Sequence, residues 1–223
     1  MLERVARSEY AKKEYSWSEE KIGKMYTYLK GFCSGAKMTE SVKALRYARE
    51  KHTGQKRKDG VTPYIMHPLS MAYYAVRSGL VDDNIIATII LHDVCEDCKV
   101  KVEDLPFNDI VKRGVKYMTI TKLGPDEPKE VTKDRYFCEL LECKESIVTK
   151  GFDRMFNLSD MEGNLSDEAI IKNVKETDEK LLPRLKEAEQ KYPELADVLF
   201  ILRVNIKHIC NLLAKTHNVY LED

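Results

Sequence analysis

The sequence has little of what marks exported or membrane-spanning proteins. Residues 1–13 are rich in charge and lack the apolar run of a signal peptide. No stretch approaches the roughly 18 apolar residues that a membrane-spanning helix needs, and the longest such run covers only residues 85–91. We therefore expect a cytoplasmic protein with no membrane partner, whose six cysteines are reduced thiols.

Turn-forming residues and an excess of one charge are also scarce. Ten glycines and seven prolines in 223 residues are too few for the many turns of a β-sandwich or barrel. The 37 basic and 37 acidic residues balance, so the chain lacks the net basic character of a protein that coats nucleic acid. We expect a single all-α domain over residues 1–223, a helical bundle with no nucleic-acid partner.

Apolar residues recur at helical spacing through most of the chain. Ser16-x-x-Glu19 has the form of a capping box at the start of the first helix. Asp82 and Asp83 are predicted to cap a strongly apolar helix, and Pro183 predicts a kink. No segment alternates like a strand. The predicted helices cover residues 16–34, 39–54, 67–79, 84–98, 107–121, 132–148, 152–161, 167–188 and 193–215.

The segment His92-Asp93-Val94-Cys95-Glu96-Asp97 combines imidazole and carboxylates at the end of a core helix. On one continuous helix, His92 and Glu96 lie four residues apart, as do Asp93 and Asp97, so their side chains share adjoining faces. Burying these carboxylates is favourable only with a compensating cation, which indicates a divalent metal. The alternative is that the core helix simply ends here and its last turns are solvated.

Two further positions fit a metal centre. His67 opens a helix together with Pro68, and Asp153 lies one helical turn before Asn157. Two imidazoles and two carboxylates, with positions left for water and substrate, suit Mn²⁺ or Fe²⁺ better than structural zinc. Cys95-x-x-Cys98 has no second pair at matching spacing, so a cysteine metal site is disfavoured.

Taken in order, these motifs resemble the hydrolase domain of the RelA/SpoT alarmone family, a branch of the HD-domain metal-dependent phosphohydrolases. The resemblance covers roughly residues 40–185 and leaves 1–37 as an N-terminal helical extension. The segments that carry it are 52–58 (HTGQKRK), 63–68 (PYIMHP), 92–97 (HDVCED), Thr121-Lys122 and Asp153-Arg154-x-x-Asn157.

The resemblance implies a function and a role for each matching position. It implies Mn²⁺-dependent removal of the 3′-pyrophosphate from guanosine tetra- or pentaphosphate, the nucleotides of the stringent response. Glu96 and Asp97 match the catalytic acidic pair that orients and deprotonates water. The metal ligands would be His67, His92, Asp93 and Asp153, and the substrate contacts Arg57, Lys58 and Asn157.

Some positions depart from the family pattern around the nucleoside pocket. Gly151-Phe152 replaces the usual Leu-Ala pair, and Phe156 replaces a polar ring. A related substrate, such as the 2′-phosphate of NADPH, therefore remains an alternative, as does a catalytically idle nucleotide-binding regulator. Only 66 residues follow Asn157, too few for a synthetase domain, so we expect a stand-alone hydrolase. The sequence leaves the oligomeric state open.

Overall fold

The computed structural model describes residues 19–124 and 126–221, and within these ranges it is helical, with one isolated bridge between Lys56 and Pro63 and no strand. The all-α expectation is confirmed. None of the described helices is both long enough and apolar enough to cross a bilayer. The helices are α1 (Glu19–Gly35), α2 (Thr39–Lys51), α3 (Met66–Arg77), α4 (Asp83–Leu91), α5 (Val94–Asp97), α6 (Asp109–Met118), α7 (Lys129–Glu139), α8 (Lys144–Ser159), α9 (Asp167–Glu176), α10 (Leu182–Lys191) and α11 (Ala196–Thr216).

Helix α4 is the centre of the bundle. Every side chain from Ile85 to Leu91 is buried, because α2, α3, α6 and α8 pack around it. The Asp82 carboxylate caps its first turn by accepting from the amides of Asn84 and Ile85, both at 3.0 Å. This central helix delivers His92 and Asp93, which follow directly, to the interior of the bundle.

Asp83 has a different role from the cap that the sequence predicted. Its carboxylate reaches back to the start of α2 and accepts from the amides of Glu40 (3.0 Å) and Ser41 (2.7 Å). The side chain therefore satisfies free amides at another helix's first turn, which joins α2 to α4.

The prediction of one continuous helix over 84–98 is wrong, because α4 ends at Leu91 and α5 begins at Val94. The Nδ1 of His92 lies 2.9 Å from the carbonyl of Ile89, the group to which the amide of Asp93 would donate in a regular helix. Asp93 has φ −100° and ψ −3°, which sets α5 off from α4.

The predicted helices at 132–148 and 152–161 are divided in the wrong place. The break falls at the 3₁₀ turn Leu140–Glu142, and α8 runs unbroken through Gly151. A Cβ at Gly151 would come within 2.9 Å of Leu202 Cδ1 on α11. The glycine therefore permits close packing of two helices instead of ending one of them.

The kink expected at Pro183 corresponds to a π-helical turn, Thr177–Leu181, that separates α9 from α10. Pro183 lies in the first turn of α10, where its missing N–H is tolerated. The last helix follows a 3₁₀ turn at Pro193–Leu195. The capping box at Ser16 lies outside the described residues, although α1 begins within the predicted range.

Candidate metal centre and its cleft

Three of the four predicted ligands converge on one buried point. The donor atoms of His67, His92 and Asp153 all lie within 4.8 Å of one another. Asp153 Oδ1 is 3.3 Å from His67 Nε2 and 3.7 Å from His92 Nε2. These side chains come from the first turn of α3, the end of α4 and the middle of α8, so the bundle itself sets their spacing.

The hydrogen bonding of His92 turns one ring nitrogen toward the cluster. Because the carbonyl of Ile89 can only accept, Nδ1 of His92 donates to it, which leaves Nε2 facing Asp93 and Asp153. Among the described residues this buried Nε2 makes no hydrogen bond of acceptable geometry, although Asp93 Oδ2 lies 2.8 Å away. A divalent cation would satisfy the orphaned nitrogen, and the nitrogen–oxygen donor set suits such an ion.

Asp93 stands beside this trio, outside the set that converges within 4.8 Å. Its Oδ2 is 2.8 Å from His92 Nε2 and accepts the hydroxyl hydrogen of Tyr64. Burial acts against ionisation of Asp93, but His92 outweighs it and lowers the carboxyl pKa to about 2. Asp93 is therefore an ionised, oriented carboxylate at the edge of the cluster.

The cluster attracts positive charge at His92. Burial favours the neutral ring, yet the carboxylates of Asp93 and Asp153 overcome burial and raise the pKa of His92 to about 10. Burial lowers the pKa of His67, so this ring is neutral at pH 7, with its Nε2 at hydrogen-bond distance from Asp153 Oδ1. A proton or a metal ion can meet the need for a cation between the carboxylates.

Asp153 is held from two sides. Asn157, one turn later on α8, donates from Nδ2 to Oδ1 at 2.6 Å, while Lys150 donates from Nζ to Oδ2 at 2.9 Å. Burial opposes ionisation of Asp153, but Lys150 and the two imidazoles hold its pKa well below the ordinary value. The carboxylate is thereby fixed with Oδ1 toward the histidines.

The metal cluster opens into a cleft of about 1230 Å³ that the predicted substrate residues also line. Arg57 and Lys58 lie on the loop between α2 and α3, which Asp59 braces by accepting from the amides of Val61 (2.8 Å) and Thr62 (2.9 Å). Arg57 is paired across the cleft mouth with Asp160 at 2.9 Å. The cleft thus joins cations to the acidic centre.

Glu96 and Asp97 lie on α5, on the cleft side of the cluster, and both side chains are exposed. Burial raises the pKa of Glu96, and the charges of Asp93 and Asp97 raise it further. Glu96 is therefore protonated more readily than an ordinary glutamate. The alternative of a solvated helix end therefore holds for Glu96 and Asp97. It does not hold for His92, which is 2% exposed.

Sequence reasoning missed Tyr64 and Lys150, which hold the two carboxylates of the centre. Lys150 precedes Asp153 by three residues, a helical spacing that the sequence displays. Tyr64 meets Asp93 only through the fold. His52, whose Nδ1 lies 2.7 Å from Gln55 Oε1, makes a structural contact outside the metal cluster.

An HD domain model matches residues 44–116. A curated guanosine-3′,5′-bis(diphosphate) 3′-pyrophosphohydrolase MESH1 of Xenopus tropicalis is 32% identical over 125 residues, covering 54% of this chain and 68% of the relative. The MESH1 protein of Danio rerio is 30% identical over 126 residues, again with 68% of the relative covered.

A longer relative and a solved structure are also similar. The guanosine-3′,5′-bis(diphosphate) 3′-pyrophosphohydrolase of Aquifex aeolicus is 35% identical over 124 residues, and the match spans 53% of this chain and 17% of that protein. A solved structure of a metazoan ortholog of SpoT, described as hydrolysing ppGpp, has a TM-score of 0.48 and 24% identity. It covers 68% of this chain and 94% of that one.

Proposed function

Because the chain belongs to the RelA/SpoT-type family of HD-domain guanosine-3′,5′-bis(diphosphate) 3′-pyrophosphohydrolases, we propose that it hydrolyses the 3′-pyrophosphate of guanosine tetra- and pentaphosphate with Mn²⁺. Water adds at phosphorus as the bond to the 3′-oxygen breaks, which gives GDP or GTP and pyrophosphate. The cytoplasm, where these nucleotides are made and used, is the proposed compartment.

The buried trio of His67, His92 and Asp153 carries this proposal, because two imidazoles and a carboxylate converge beside a cleft that His67 and Asp153 line. Asp93 would complete the ligand set from its position beside His92. A divalent ion held there supplies positive charge for phosphate oxygens and lowers the pKa of water. A catalytically idle regulator would not need the acidic pair Glu96 and Asp97 beside this ligand set.

Glu96 and Asp97 are the proposed acid–base pair. They stand on α5 at the mouth of the cluster, close enough for their charges to influence the site, and are exposed to water. The raised pKa of Glu96 makes it a better proton acceptor than an ordinary glutamate. We assign to this pair the orientation of water and the transfer of its proton.

Arg57, Lys58 and Asn157 are the proposed substrate contacts. Arg57 can exchange its pairing with Asp160 for a bidentate contact with phosphate, and Lys58 adds charge on the same loop. Asn157 uses one N–H of its amide on Asp153, so its amide oxygen and its second N–H remain for a nucleoside.

The proposal is tested by incubating the purified chain with Mn²⁺ and ppGpp and measuring GDP and pyrophosphate. NADPH is included in the same panel, because Phe156 departs from the family pattern at the nucleoside pocket. Its ring centre lies 6.1 Å from that of Tyr74 along the cleft. Release of phosphate from NADPH without turnover of ppGpp would assign the alternative substrate. No turnover of either nucleotide by protein that binds Mn²⁺ would refute hydrolysis.

Glu96→Gln separates chemistry from binding. We expect it to abolish turnover, because the amide cannot accept a proton, while Mn²⁺ content and the helical circular dichroism spectrum remain those of the unchanged chain. The losses attributed to general acid–base groups are typically about 10²–10⁴-fold. Retained activity would show that another group moves the proton.

A further inference from the structure

Lys150 is a cation of the cleft to which neither the family resemblance nor the proposed function gives a role. It projects from α8, lines the cleft, and its side chain is 15% exposed. Its Nζ lies 2.9 Å from Asp153 Oδ2 and 5.7 Å from the centre of the Tyr136 ring, whose hydroxyl bonds the carbonyl of Met118. The ammonium is therefore held next to the metal cluster by a carboxylate and a ring face.

Two other basic side chains of the cleft, Lys56 and Arg154, are committed elsewhere. Lys56 donates to the carbonyl of Val61 at 2.9 Å, within its own loop. Arg154 is turned toward α9, where it bonds Asn173 at 3.0 Å and Glu176 at 2.9 Å. Among these side chains, Lys150 is the one in contact with a carboxylate of the cluster.

The charge of Lys150 becomes available when the cluster is loaded. Asp153 neutralises the ammonium in the structure described, but a divalent ion between His67, His92 and Asp153 would share that carboxylate. An ammonium has three N–H donors, and the contact with Asp153 uses one of them, so donors remain for an anion in the cleft.

On these grounds, and resting on the proposed function, we propose that Lys150 contacts the pyrophosphate of the substrate at the metal end of the cleft. Arg57 and Lys58 lie on the loop between α2 and α3, whereas Lys150 belongs to α8. The pyrophosphate would then lie between cations from two separate elements, with the α8 cation beside the cluster.

The test measures binding without turnover, with Mn²⁺ and inorganic pyrophosphate as probes in calorimetry. Lys150→Met should weaken pyrophosphate binding to the Mn²⁺-loaded protein roughly tenfold to hundredfold, as expected for a lost hydrogen bond to a charged group. Mn²⁺ affinity should not weaken, because Asn157 still orients Asp153 by donating to its Oδ1, and losing the ammonium removes a positive charge that repels the ion. Lys150→Arg keeps the charge and should restore most of the binding.

Lys191→Met is the matched control. Lys191 pairs with Glu142 at 3.1 Å and lies 5.7 Å from the centre of the Tyr192 ring, so it makes the same kinds of contact away from the cleft. This variant should bind both probes like the unchanged chain. Lys150→Gln gives a second neutral variant, so a folding defect in the methionine variant does not decide the result.

Three results would overturn the role of Lys150: unchanged pyrophosphate affinity in the neutral variants, a parallel loss of Mn²⁺ affinity, or no pyrophosphate binding by the unchanged chain. The first two results can occur in a protein that hydrolyses ppGpp, so they refute the proposed role of Lys150 and leave the proposed function standing. Conversely, pyrophosphate binding that depends on Lys150, without turnover of ppGpp, would refute the proposed function alone.

Discussion

Tyr64 positions Asp93 through one hydroxyl group, and its removal provides a test at the scale of a single residue. We expect Tyr64→Phe to keep the fold but to lower Mn²⁺ affinity or turnover roughly 10–100-fold, because partners that orient ligands have effects of this size. Calorimetry and the ppGpp assay measure both quantities. Tyr192→Phe, which loses a 2.6 Å bond to the carbonyl of Leu141 far from the cleft, should leave them unchanged. Equal losses in both variants would contradict the assignment.

The residue types of the site could be predicted from the sequence, but their contacts could not. His67, His92 and Asp153 are far apart in the sequence, and only the order of the surrounding motifs indicated that they meet. The contact of Tyr64 with Asp93 joins residues 29 positions apart, which no local spacing reveals. The contact of Lys150 with Asp153 is local and its spacing was visible. It was missed because an i,i+3 ion pair is common on solvated helices.

At the scale of helices, Gly114 fixes how closely α6 approaches its neighbours. A Cβ there would lie 2.6 Å from Thr88 Oγ1 and 3.0 Å from Glu145 Cβ, on α4 and α8. We expect Gly114→Ala to lower the free energy of unfolding by roughly 1–3 kcal/mol, as overpacking does, measured by urea denaturation. Gly23→Ala on α1 meets nothing within 4 Å and should raise stability by about 0.5–1 kcal/mol. A stabilised Gly114→Ala variant would show that α6 can move away.

Helix boundaries could be predicted where a local signal sets them. Asp82 caps α4 as its position indicated, and Pro68 lies in the first turn of α3. The errors arise where tertiary contacts override local preference. Gly151 has the low intrinsic preference of a helix end, yet packing against Leu202 keeps it inside α8. The interruption after Leu91 depends on a side-chain bond from His92 that no periodicity encodes.

For the whole molecule, metal binding and folding are linked through the buried cluster. His67, His92 and Asp153 belong to α3, the end of α4 and α8, so an ion that joins them binds the folded chain and not the unfolded one. At a free Mn²⁺ concentration of 100 times the dissociation constant, the linkage contributes about 2.7 kcal/mol. For a chain of this size, that corresponds to a rise in melting temperature of roughly 5–10 °C.

Thermal unfolding with Mn²⁺ and after treatment with EDTA measures this rise, and two histidine variants locate its source. His67→Ala should lose the rise, because it removes a donor from the trio. His217→Ala should keep it, since His217 bonds Glu162 at 2.9 Å near the end of α11, away from the cluster. If Mn²⁺ stabilises the His67→Ala variant as much as the unchanged chain, the ion binds elsewhere and the three elements are not joined by it. A rise confined to chains with an intact trio would make the metal a structural link between α3, α4 and α8, in addition to its proposed part in hydrolysis.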